Sequence, residues 1–136
     1  MDRIPAIACL VGFSASAGAL IALERNDRAV WAALKASASG GRDVLVPSAA
    51  LAQVWRARRS QALLSRALEH CVVSSFHDVA WEVGELCGRT RTSDICDAHV
   101  AIVASRDADA LYTSDPGDLR KLVAACRGGM PQIIRC

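Results

Sequence analysis

The chain has 136 residues, 52% of them hydrophobic and only 4% aromatic, with a formal net charge of +2. That length and apolar content exclude a disordered chain and fit one domain, residues 1–136, around an aliphatic core of Ala, Val, Leu and Ile. The charge is too small to argue for nucleic-acid binding by itself, although 14 of the 16 basic residues are Arg, whose planar fork grips phosphate at two points.

The apolar run over residues 6–13 predicts a buried strand, and residues 17–25 a helix with Leu20, Leu23 and Glu24 at helical spacing. Asp27 is placed to cap a second helix over 28–38. Ser37-Ala38-Ser39-Gly40-Gly41 reads as a loop, and 44–46 as a short strand stopped by Pro47. Helices are expected over 48–55 and 60–69, with a strand over 71–73 between the second of them and a helix over 77–88. That last helix would set Val79, Val83 and Leu86 on one face. A helix over 94–106, a strand over 110–113, a helix over 116–126 and a strand over 132–135 complete the chain. Short apolar strands alternating with helices predict an α/β fold, three layers α/β/α with a short, mainly parallel central sheet.

Six cysteines, Cys9, Cys71, Cys87, Cys96, Cys126 and Cys136, contain no CxxC pair. His70, His77 and His99 do not fall at zinc-finger spacing. Most of the cysteines sit in apolar runs, which predicts buried free thiols in a reducing cytoplasm. Residues 4–12 are too few to span a membrane and lack a signal-peptide pattern, so the expected protein is soluble and cytoplasmic.

Ligands of a parallel sheet bind beyond the carboxyl ends of its strands. The pattern puts Ser16 after the first strand, Asp115 after the 110–113 strand, and Asp94 and Asp97 at a helix start, three residues apart and so on one face. Asp118 follows in the Asp115-Pro116-Gly117-Asp118 turn. Taken singly, Ser16, Asp94, Asp115 and Asp118 each fit helix capping or dipole compensation. Asp97 fits that explanation less well, because it lies inside a helix beside Ala98, Val100 and Ala101. Acids clustered without a basic neighbour repel one another unless a cation sits among them, and Mg²⁺ or Mn²⁺ prefers such oxygen ligands. Arg56, Arg58 and Arg59 are candidates for RNA phosphates, with a solvated face as the equal alternative. Gln53 reads either as a group bonded to a buried carbonyl or as a neutral lining of the acidic site. Trp31, Trp55 and Trp81 read as core or dimer packing, and His99 as structural.

Four segments in order carry a resemblance over nearly the whole chain. They are Ala17-Gly18-Ala19-Leu20-Ile21-Ala22-Leu23, Val46-Pro47 through Trp55-Arg56, Asp94-Ile95-Cys96-Asp97-Ala98-His99-Val100-Ala101, and Thr113-Ser114-Asp115-Pro116-Gly117-Asp118-Leu119. They resemble the PIN domains of the VapC-like toxin family. The resemblance implies an endoribonuclease toxin of a type II toxin–antitoxin pair, a homodimer that cuts RNA with Mg²⁺ or Mn²⁺ and is held by an antitoxin. It maps metal and catalysis to Asp97 and Asp115, with Asp94 and Asp118 at secondary acidic positions. Two departures stand out: Ser16 occupies the place of the family's first-strand Asp, and Gln53 that of the usual Glu. The loss at Ser16 implies weakened activity. The competing expectation is a non-catalytic module that binds its antitoxin or RNA. A phosphoryl-transfer domain of receiver or dehalogenase type fits poorly, since its acidic nucleophile would have to stand where Val11-Gly12-Phe13-Ser14 and Ser16 stand. The helices carrying Leu20, Leu23, Trp31, Leu34, Trp55 and Leu64 are expected to offer a groove to an amphipathic antitoxin segment.

Overall fold

The computed structural model describes residues 11–136. The chain runs β1 (Val11–Ala15), α1 (Ala17–Glu24), α2 (Arg28–Ser39), β2 (Asp43–Pro47), α3 (Ser48–Val54), α4 (Ala62–Leu68) and β3 (Cys71–Ser74). It continues through α5 (Ala80–Thr90), α6 (Ile95–Asp107), β4 (Ala110–Thr113), α7 (Pro116–Ala124) and β5 (Gln132–Arg135). The strands form one five-stranded sheet in the order β3-β2-β1-β4-β5, and every pairing is parallel.

That order fixes the layers. From β1 to β3 the chain steps outward in one direction; it then returns past β1 to β4 and β5 on the other side. Right-handed crossovers place the helices of the two halves on opposite faces. Accordingly α2 packs on β1 and β2, α1 on β4 and α4 on β3, while α6 packs on β1 and β2 and meets α3, α5 and α7. The layers are therefore α/β/α, as the alternation of elements predicts. The direction of travel reverses between β1 and β4, which puts the topological switch point at their carboxyl ends.

The core is aliphatic: Leu20, Leu23, Val30, Val44, Val46, Leu64, Leu86 and Leu111 are fully buried. α6 is enclosed almost all round, from Ala98 to Ser105, which accounts for a sequence with no polar stripe. Leu20, Leu23, Leu34 and Leu64 belong to this core, so they cannot line a groove; of the residues expected there, only Trp31 and Trp55 keep exposed surface. Trp81 is 85% exposed and so is not part of the core.

Several boundaries move for identifiable reasons. β1 reaches Ala15 rather than stopping at Phe13, because Ser14 and Ala15 are small enough to be wholly buried between two flanking strands. The part of the expected strand over residues 6–10, and Cys9, lie outside the described residues. The helix expected over 60–69 begins with a 3₁₀ turn, Arg59–Gln61, since Gln61 turns its side chain to the preceding backbone. The helix expected over 77–88 also opens with a 3₁₀ turn, His77–Val79. It runs on to Thr90, where Arg91 adopts a left-handed conformation (φ 58°) and Thr92 N–H closes on the Cys87 carbonyl. The helix over 116–126 ends early, at Ala124. The described cysteines are all free, and each is half-buried rather than buried; burial pushes the Cys71 thiol up to about 11.

Candidate functional site

Backbone geometry brings Ser16 beside the β4–α7 turn. Ala15 is in register with Tyr112, and the next N–H, that of Ser16, donates to the Tyr112 carbonyl at 3.1 Å. In the first turn of α1, Gly18 lies so close to Ser114 that a Cβ there would stand 2.9 Å from the Ser114 nitrogen and collide with its side chain. The glycine is needed for this approach. It lets the first turn of α1 rest on the residue preceding Asp115.

Each acidic helix start is built by capping. Asp115 N–H donates to Thr113 Oγ1 at 3.0 Å, and Asp115 Oδ1 accepts from Asp118 N–H at 3.4 Å, with Pro116 at the first helical position. Asp94 repeats the arrangement: its N–H donates to Thr92 Oγ1 at 3.1 Å, and its Oδ1 accepts from Asp97 N–H at 3.0 Å. Ser16 caps α1, its Oγ accepting from Ala19 N–H at 3.3 Å. The capping explanations therefore hold for Ser16, Asp94 and Asp115. Asp118 and Asp97 sit in first turns, where a negative charge meets the positive end of the helix dipole.

Asp97 differs from the other three. Asp94, Asp115 and Asp118 are exposed, whereas Asp97 is half-buried. Its carboxyl is pushed up from 3.8 to about 6, first by burial, then by the charge of Asp94 and a hydrogen bond with it, then by the charges of Asp115 and Asp118. The four acids thus share one electrostatic neighbourhood at the switch point, and among the described residues no ion pair relieves them. As donors they suit a hard divalent cation. Their placement is looser than their chemistry: among the described residues no three His, Cys, Asp or Glu side chains stand close enough to hold one ion. Two causes act together. Like charges repel, and the caps turn Asp94 and Asp115 toward their own helix starts. Ser16 is 4% exposed and adds only a neutral hydroxyl already used in its cap.

The remaining candidates divide. His99 is wholly buried, its Nδ1 accepting from Ala49 N–H at 3.4 Å and its ring edge-on to Phe76 at 5.2 Å. Burial pushes its pKa down, so it is a neutral group tying α6 to the start of α3. Gln53 is exposed on α3 and reaches no buried carbonyl. It lines a groove of about 350 Å³ whose other walls include Ala17, Glu24, Arg25, Arg56, Arg58 and Gln61. Arg56 Nη1 donates to the Ala52 and Trp55 carbonyls at 3.0 and 2.7 Å, capping the end of α3. Arg58 lines the groove, while Arg59 lies in the 3₁₀ turn beyond it.

The contacts that Gln61, Glu24 and Gly18 make were not expected from the sequence. Gln61 is 4% exposed and fully bonded: its Oε1 accepts from Arg56 N–H at 2.8 Å, and its Nε2 donates to the Val54 carbonyl at 2.8 Å and to Glu24 Oε1 at 3.0 Å. It stands in a polar run that resembles a surface loop, so no local pattern marks it. Gly18 carried a usable signal, since glycine in a first helical turn calls for a close neighbour.

No family model and no curated protein sequence matches this chain. Among solved structures, it is similar to a chain of VapBC2 from Rickettsia felis, crystallised bound to a DNA fragment from their promoter. The TM-score is 0.63 at 15% identity, covering 91% of this chain and 98% of that one. At that identity the likeness is one of architecture, and with the all-parallel β3-β2-β1-β4-β5 sheet it makes the fold of this chain PIN-like.

Proposed function

We propose that the chain is an endoribonuclease of the PIN type, the toxin of a toxin–antitoxin pair, which hydrolyses RNA phosphodiester bonds with Mg²⁺ or Mn²⁺. One observation carries the proposal: Asp97 is half-buried at the switch point of a PIN-like sheet, with Asp94, Asp115 and Asp118 all raising its pKa. A structural role offers nothing for such repulsion to support, whereas a divalent ligand reverses its sign. Asp97 and Asp115 would hold the ion, with Asp94 and Asp118 adding charge beside it. A bound divalent ion supplies Lewis acidity toward the scissile phosphate. The residues of the chain do the rest. Asp97 would hold the ion as a carboxylate, and the capping bonds of Asp94 and Asp115 hold the two acidic helix starts in place. The hydroxyl of Ser16 contributes no charge where the family has a carboxylate, so activity is weak. An antitoxin partner, a homodimer and residence in the reducing cytoplasm complete the proposal; the free thiols suit the last of these.

A second reading, a non-catalytic module that binds an antitoxin or RNA, draws support from Ser16 and from the absence of three grouped ligands among the described residues. One assay separates the two: cleavage of a structured RNA with Mn²⁺ by the parent, Ser16→Asp and Asp97→Asn. The first reading expects weak cleavage by the parent and more by Ser16→Asp. It expects a loss of about a hundredfold or more in Asp97→Asn, since a metal ligand supports several kcal/mol of transition-state stabilisation. The added acid should also lower the melting temperature in EDTA and regain it with Mn²⁺. No cleavage by parent or Ser16→Asp, and no Mn²⁺-dependent shift, would leave the non-catalytic module.

A further inference from the structure

The groove between α1, α3 and the 55–61 segment has Ala17, the residue after Ser16, among its lining residues, and so comes within one residue of the helix start beside the acidic site. Three guanidinium groups line it, those of Arg25, Arg56 and Arg58, against one carboxylate, Glu24. The Glu24 carboxylate accepts a hydrogen bond from Gln61 Nε2. Arg56 is turned onto the carbonyls at the end of α3. Arg25 and Arg58 are exposed, and among the described residues neither side chain makes a hydrogen bond. Between Arg56 and Arg58 the backbone is held in a demanding shape, with Ala57 left-handed at φ 57°. The buried side chain of Gln61 fixes that turn by bonding both Arg56 N–H and the Val54 carbonyl. A left-handed alanine costs energy, and here it is braced in a conformation that presents Arg58 to the groove.

We infer that this groove holds the phosphodiester backbone of single-stranded RNA as it leaves the acidic site, through Arg25 and Arg58, with Arg56 and Gln61 as its framework. The inference takes its substrate class from the ribonuclease reading and adds to it the path of the strand and the two groups that grip it. It also separates three arginines that look alike in the sequence: Arg58 grips, Arg56 caps a helix, and Arg59 stands outside the groove. Guanidinium groups suit this work because each can fork onto two phosphate oxygens. The excess of positive charge favours a polyanion.

The test is fluorescence-anisotropy binding of a labelled single-stranded oligoribonucleotide in EDTA, which stops metal-dependent cleavage. The proteins are the parent, Arg25→Ala, Arg58→Ala, the double variant and Arg59→Ala. Each single loss at Arg25 or Arg58 should weaken binding several-fold and flatten the plot of log affinity against log salt by about 0.7, the double variant by about 1.4, as expected for one phosphate contact each on a single strand. Arg59→Ala should match the parent. Unchanged binding by the double variant, an equal loss in Arg59→Ala, or no RNA binding by the parent would overturn the inference. So would equally tight binding of an oligoglutamate peptide of the same length, which would make the groove a site for an acidic protein. The ribonuclease reading fails separately. RNA bound through Arg25 and Arg58 but left uncut with Mn²⁺ would overturn that reading alone, and cleavage by the double variant with an unchanged KM would overturn the groove alone.

Discussion

The acidic mouth and the groove lined by α1 and α3 are both polar sites, yet their polar groups are in opposite conditions. In the groove wall Gln61 is buried and every end of its amide has a partner, Arg56 N–H, the Val54 carbonyl and Glu24. At the mouth Asp97 is half-buried and each of its carboxylate neighbours opposes its charge. Both sites are polar, but only one is settled by the protein itself. A buried amide with its bonds complete acts as a structural joint, because leaving any of them unmade is costly. A carboxylate held against like charges gains for the fold little beyond its attraction to the helix start and is set up to meet something from outside.

The largest expected effect comes from breaking the settled side. Gln61→Leu keeps similar bulk but strands the Arg56 N–H and the Val54 carbonyl, each an unmade bond worth about 1–3 kcal/mol. Urea unfolding should show a loss of about 2–4 kcal/mol, and a loss below about 1 kcal/mol would mean that the turn holds its shape without the brace.

The join between the two helix starts comes next. In Gly18→Ala, the new methyl group meets Ser114, an overpacking cost of about 1–3 kcal/mol that works against the roughly 1 kcal/mol by which alanine favours a helix. A lower melting temperature is expected. A higher one would show that the β4–α7 turn gives way easily and that the approach is not tightly set.

The smallest effect sharpens the acidic side. The folded pKa of Asp97, about 6, lies above its unfolded value of 3.8. The folded state therefore binds more protons between those values. The stability from this group is fully present below pH 4 and is lost as pH rises through 6. With half the residue in solvent, screening reduces the effect to about 1 kcal/mol. His99 works in the opposite sense: burial lowers its pKa, so stability falls as pH drops below its unfolded value near 6.5. Comparing chemical unfolding of the parent and Asp97→Asn in EDTA at pH 5 and pH 7 cancels the histidine. The parent should be the less stable of the two at pH 7, and the gap should narrow at pH 5. A gap that does not change with pH would show that Asp97 is charged and unopposed in the folded protein.

Local rules made most of the architecture legible. The apolar runs that became β2, β3, β4 and β5, and the capping residues Asp27, Asp94 and Asp115, lie where period and cap chemistry place them, because hydrogen bonds near in sequence decide helix starts. The acidic residues were legible as candidates for the same reason. In residues 55–61 only Gln61 was not legible: residues 55–60 are exposed, as their polar composition allows, whereas Gln61 folds inward onto a carbonyl that only the tertiary path supplies.

By itself, then, the sequence determined the α/β alternation, the aliphatic core and the acids at the helix starts, all of which follow from side-chain type and spacing of a few residues. The tertiary structure alone decided which of those acids feel one another: Asp97 on α6 feels the charges of Asp115 and Asp118 at the start of α7, while the β1–β4 pairing and the close approach of Gly18 to Ser114 bring Ser16 beside Asp115. It alone gave the three arginines their different surroundings, because what a guanidinium group meets depends on whatever carbonyl or groove lies within reach. Charge and hydrogen bonding act through space, and parallel strands bring together at one edge residues about a hundred positions apart.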